Sequence, residues 1–250
     1  MSVQVFIANI TELIGVLGLT MLIGISPRIK AVPPVGFKYP QREGKISLSL
    51  ATVLIVFSGL VHLFGNRVIP SQTWIPPELS PFVVRTIQAA AAGVLVLILL
   101  WRRGQPLKST GWHPLLGRIS VQFGIAVMFL TVFLQGKLFV ILDGVDSSLW
   151  MAFLLLLITS ISEETVFRGY LQMRFSSLWN PTTAWLVTAG LFVLWQLPGV
   201  LPKLDFANGA VYILILLILR ALLVGWMMLK TRHVFAPAIY RALSAWLMMI

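Results

Sequence analysis

Glu163, Glu164 and Arg168 stand within six positions of one another, beyond an apolar run from Leu149 to Ile158. An ionised side chain at the centre of a membrane helix costs about 2.5–3.5 kcal/mol on insertion scales, so residues of this kind are functional candidates. On a helix, Glu164 and Arg168 are four apart and face each other, with the acid on the favourable amino-terminal side. Glu163 is turned about 100° away and can address another neighbour. Gly169 leaves a notch where another helix can approach. Two adjacent carboxylates in low dielectric do not ionise together unless a cation or a metal neutralises them. A carboxylate that can accept a proton from water is what a hydrolase requires. The same spacing also serves a purely structural Glu164–Arg168 pair beside a protonated Glu163.

Composition identifies the elements that must position these groups. Of 250 residues, 58% are hydrophobic and 11% charged, with mean hydropathy +0.92. An ordinary globular domain carries about 25% charged residues. Several apolar runs of about twenty residues match the length of a bilayer span. The fold class is all-α, a polytopic membrane helix bundle of about eight transmembrane helices, integral and multi-pass. One domain covers residues 1–250, with first-half spans over 1–148 and a core over 149–250. The net charge of +11 belongs to loops between spans, as membrane topology demands, so nucleic acid is excluded as a partner and lipid is implied. With no cysteine, neither a disulfide framework nor a thiolate metal site is available.

The spacing predicts spans over Val3–Ile25, Ile46–Phe64, Phe82–Trp101, Ile119–Leu142, Leu149–Phe175, Ala184–Val200, Ala210–Leu229 and Phe235–Ile250. The first is expected to be retained rather than cleaved as a signal peptide. Its Glu12 lies near one end, where it can snorkel or stay protonated. The proline-rich stretch Ser26–Lys45 reads as a basic extended loop, since proline breaks helices. His62 is expected at a membrane interface. The small-residue patch Ala89–Gly93 is suited to close helix approach. Thr182 or Thr183 is the expected cap of the sixth span. Loops after the first, third, fifth and seventh spans hold 11 Lys and Arg, against 2 in the others. By the positive-inside rule both termini face away from the cytoplasm.

The stretch Glu163-Glu-Thr-Val-Phe-Arg-Gly-Tyr-Leu171 resembles the first motif, Glu-Glu-x-x-x-Arg, of the CAAX-protease and bacteriocin-processing (CPBP, or Abi) family of intramembrane proteases. The resemblance extends over Leu149–Ile250. It implies cleavage of a peptide near the membrane, after a prenylated cysteine or within a leader. Glu163 and Glu164 would be the catalytic carboxylates and Arg168 a supporting cation. The family's site typically holds zinc between glutamate, two histidines and an asparagine. Phe192 and Gln196 stand at the second motif, Phe-x-x-x-His, and Arg241 and Ala245 at the third, His-x-x-x-Asn. Both histidine places and the asparagine place are therefore substituted, and no metal or other cofactor is expected. None of His62, His113 and His233 falls at a motif position.

Arg241 leads to a sharper expectation. A guanidinium is permanently charged and grips carboxylates through paired bonds, so Arg241 is predicted within hydrogen-bond reach of Glu163 or Glu164. At about 1.5 Å per residue, both sides lie about 10 Å from their cytoplasmic helix ends, whereas Gln196 comes out deeper. Three functions fit. One is a weakened or inactive membrane protease relying on Glu163 or Glu164. Another is a non-catalytic assembly or regulatory factor that binds a membrane protein or peptide. The third is a transporter, which lacks the usual internal symmetry.

Overall fold

Eight main helices order the chain in a computed structural model that describes residues 3–33, 35–65, 79–203 and 210–250. They are α1 (Val3–Gly24), α2 (Pro40–Leu60, continued by a π turn Val61–Gly65), α3 (Ser80–Arg102), α4 (Pro114–Leu134), α5 (Ser147–Leu178), α6 (Pro181–Val200), α7 (Ala210–Thr231) and α8 (Phe235–Leu247). Seven are long and apolar enough to cross a membrane. The chain is an integral, multi-pass helical membrane protein. Helix α8 differs from the expected span: its 13 residues reach only about 20 Å, short of a bilayer core of about 30 Å. Its length is set by enclosure, because α8 is buried from Ala236 to Leu247 on several faces against α4 and α5. Large apolar side chains such as Ile14, Val53, Val94, Phe129, Leu154 and Ile218 face outwards instead, as they do where lipid is the solvent.

Several boundaries depart from expectation for local reasons. The Ser26–Lys45 stretch is not extended throughout: Pro27–Lys30 forms one helical turn and α2 begins at Pro40. Proline is tolerated there because the first turn has no intrahelical amide partner to lose. Arg42 and Lys45 are thus helical. The fourth span breaks at Gly136, whose φ of +67° turns the chain left-handed before a short helix at Leu138–Leu142. Asn180, not Thr182 or Thr183, caps α6: its Oδ1 accepts the Thr183 amide at 2.8 Å. Pro181 fixes the first helical position, so the cap falls two or three residues earlier than expected. Arg67 and residues 204–209, expected in loops, lie outside the described residues.

Small residues set the distance between α3 and α5. Ala89 and Ala92 are buried, and a Cβ on Gly93 would meet Ser162 at 3.5 Å. Thr86 adds a polar link, bonding the Thr159 hydroxyl at 2.9 Å. Arg85 is one turn before Ala89, so the stripe that packs on α5 also aims this arginine at the motif helix. Within α5, Thr165–Gln172 is π-helical, a wider turn concentrated at functional sites. Gly169 lies in it. A Cβ there would fall 2.1 Å from the Thr110 carbonyl, so the notch admits the Leu107–Thr110 turn rather than a long helix. Gly169→Ala is expected to destabilise the protein by about 1–3 kcal/mol through overpacking, measured by unfolding in mixed micelles.

Two further ionic clusters tie the bundle together. At the basic rim, buried Glu43 of α2 accepts from Arg103 at 3.0 Å, from Gln105 at 3.0 Å and from Arg174 of α5 at 3.1 Å. Arg174, fully buried, also donates to the Ser109 and Tyr170 carbonyls and stacks on Tyr170. On the other side, Glu12 neither snorkels nor lies near the surface. It is buried, 3.6 Å from Arg220 of α7, and accepts from Gln135 beyond α4. Among the described residues Glu12 is the carboxylate paired with Arg220, which also donates to Asn9 in the same cluster.

Candidate functional site

The motif helix presents its two carboxylates in different directions. Glu164 stays on the Arg168 side, with Oε2 3.5 Å from the Arg168 Nε. Glu163 points to α6, where its Oε1 accepts the Trp195 indole N–H at 2.8 Å and its Oε2 accepts the Gln196 amide at 3.1 Å. Both carboxylates are buried to within about a hundredth of their surface. Arg241 of α8 closes the gap. Its Nη1 donates to Glu164 at 2.6 Å and its Nη2 donates to Glu163, so one guanidinium bridges the pair as its fork geometry favours. The expectation that Arg241 reaches the glutamates is met on both of them.

Arg168 does more than balance charge. Its Nη1 donates to the Thr188 carbonyl at 3.2 Å and its Nη2 to the Ala221 carbonyl at 2.9 Å, so it links α5 to α6 and α7. Phe192 lies between the two cations, its ring centre 4.8 Å from the Arg168 guanidinium carbon and 4.7 Å from that of Arg241. Each face of an aromatic ring is electron-rich, so an aromatic residue at this place spaces two arginines that would otherwise repel. Phe167 packs edge-on against it at 5.2 Å.

Gln196 belongs to the site, although a count from the helix ends puts it a turn deeper. That count treats all helix ends as level, whereas α6 starts at Pro181, three residues before the expected Ala184, and ends at Val200. The amide works in two directions: Nε2 donates to Glu163 while Oε1 accepts from Arg85 of α3. Ala245 does not join the site. It packs against the apolar cluster of Leu156, Leu243 and Trp246 and offers no polar group.

Two members were not found from the sequence. Arg85 lies 3.7 Å from Glu163 and brings the cluster to three arginines and two glutamates, a formal +1. Its signal was present as a single cation four residues into an apolar span. His62, expected at an interface, lines a cavity of about 200 Å³ together with Ser58, Arg85, Gln88, Glu163 and Gln196. The cavity lies where α2 and α6 end and α3 begins. His233 is elsewhere, packed edge-on against Trp112 at 5.5 Å and accepting the Phe235 amide on Nδ1, which fixes the start of α8. Burial, reinforced by nearby His113, pushes the His233 imidazole down to about 4. Among the described residues, no three His, Cys, Asp or Glu side chains converge.

A multi-pass helical bundle with a double-glutamate motif buried at its centre defines a membrane protein with an ionic cluster inside its bundle. A family model, type II CAAX prenyl endopeptidase Rce1-like, matches residues 145–247, the stretch that carries Glu163, Glu164, Arg168, Gln196 and Arg241. Neither a curated protein nor a solved structure matches the chain.

Proposed function

We propose that this protein is a non-hydrolytic member of the CAAX-endopeptidase family, one that holds an anionic group of a membrane-embedded partner instead of cutting it. The observation that carries this reading is Arg241 bridging Glu163 and Glu164. A general base must reach the water it deprotonates; here Glu163 accepts from Arg241, Trp195 and Gln196, while buried Glu164 accepts from Arg241 on Oε1 and turns Oε2 towards Arg168 at 3.5 Å. The family's zinc does not fit this donor set. A catalytic zinc takes three protein ligands, mostly imidazole and carboxylate. Gln196 and Arg241 offer an amide and a cation where imidazoles would be needed, and a divalent ion would add to a cluster already at +1. No step through a metal follows.

The surplus cation is Arg85, whose side chain is 42% exposed beside the cavity. An extended peptide carboxylate or acidic side chain would complete its charge. The imbalance of Lys and Arg between loops supports an orientation in which both termini, and the mouth of this cavity, face away from the cytoplasm. A hydrolytic reading keeps one observation in its favour, that Glu163 itself lines the cavity.

Protein reconstituted in nanodiscs decides between the two. Incubation with prenylated and unprenylated peptides is expected to release no more product than the Glu163→Gln variant does. A labelled peptide with a free terminal carboxylate is expected to bind more tightly than its amide, and Arg85→Gln is expected to remove the difference. Cleavage abolished in Glu163→Gln would overturn this reading and make Glu163 a general base.

A further inference from the structure

We infer that the basic rim carries a binding site for one anionic phospholipid, separate from the Glu163 cavity. Two cavities of about 450 Å³ each adjoin there. The first is lined by Lys108, Lys230 and Arg232, by the tips of α5 and α6, and by no carboxylate. None of these three cations forms an ion pair among the described residues; Lys230 lies over the Trp226 ring at 5.3 Å, and Arg232 donates to the Val32 carbonyl. At its inner wall Gln172 is 1% exposed, and its Oε1 lacks a hydrogen-bond partner. Three unneutralised cations fit a phosphate, and a buried acceptor fits a hydroxyl of the head group.

The second cavity is apolar, formed by Leu13, Leu17 and Met21 of α1 against Leu219 and Leu223 of α7. Trp185 and Trp226 line both cavities. Head and chain sites therefore meet at an aromatic pair, the arrangement that membrane interfaces favour. The polar cavity lies at the loop end of α7, beside Lys230 and Arg232, and the apolar one lies deeper along the same helix. That order matches a lipid standing in the leaflet on the basic side, where anionic lipids and cationic loops attract. The charge of the first cavity commits the occupant to an anionic phospholipid over a neutral one. Arg168 also lines the polar cavity, so the head group would rest against the motif helix.

The test is native mass spectrometry of the full chain released from nanodiscs of phosphatidylglycerol and phosphatidylcholine in equal parts. One retained phosphatidylglycerol per chain is expected, favoured by at least tenfold, since each interfacial cation contributes roughly fivefold. Lys108→Gln/Lys230→Gln/Arg232→Asn is expected to lose that preference; asparagine suits Arg232, whose φ is +53°. Leu17→Trp, at a position 39% exposed, keeps all three cations and is expected to lose retention by filling the groove. Equal retention of the two lipids, or unchanged retention in Leu17→Trp, would overturn the proposal. Displacement by millimolar inorganic phosphate would overturn the lipid as source and leave a simple anion site.

Discussion

Arg241→Met is expected to destabilise the protein by about 3–5 kcal/mol, since each hydrogen bond to a charged group contributes about 1.5–3 kcal/mol and this side chain makes two. Charge count alone gives the opposite sign, because the cluster would move from +1 to neutral. Geometry decides: Arg85 and Arg168 remain 3.7 Å and 3.5 Å from the carboxylates, too far to replace the lost bonds. The check is unfolding in mixed micelles across a set of variants. Adding Glu163→Gln to Arg241→Met is expected to recover part of the loss, because one unpaired buried anion is then gone while Glu164 keeps Arg168 as its counter-ion. Arg85→Met, at an exposed position, is expected to cost less than about 1 kcal/mol. If Arg241→Met and Arg85→Met cost the same, the bridge does not hold α8 in place.

Glu43→Gln is expected to cost a similar amount, about 3–5 kcal/mol, by leaving two arginines without their anion. Arg174 cannot escape, being fully buried under Phe37 and on Tyr170. Arg103 is partly exposed and can turn to water, so Arg174 carries most of the penalty. The comparison is with Arg42→Gln one position earlier, exposed on the same helix and expected within about 0.5 kcal/mol of wild type. Glu43→Leu combined with Arg174→Met is expected to be milder than Glu43→Gln alone. Equal effects of Glu43→Gln and Arg42→Gln in a thermal melt would show that the rim cluster is not holding α2 against α5.

What could be read in advance divides along a physical line. Glu163, Glu164 and Arg168 declare themselves because helical spacing fixes which of them meet, and Arg241 because a cation in an apolar span needs an anion at its depth. The spans follow from apolar run length. Arg85 and Arg174 are cations of the same kind, yet each lies near a span boundary, where a solvated end is the ordinary reading, and Arg220, in the middle of its span, has no motif beside it to mark its partner. Only tertiary packing shows that they turn inward, and their partners lie up to 211 residues away. The π turn of α5 left no mark in residue type, since it arises from packing around Arg168 and Gly169. The shortness of α8 was hidden for a related reason: an apolar run to Ile250 looks like a span whether lipid or protein surrounds it.

The bridge to α8 also imposes an order on biogenesis. Arg241 is synthesised 77 and 78 residues after Glu164 and Glu163. At roughly 5–20 residues per second the two glutamates wait about 4–16 s for their counter-ion. During that interval the nascent bundle holds an open slot with two acids inside it, kept hydrated or shielded by the insertion machinery until α8 arrives to seal it.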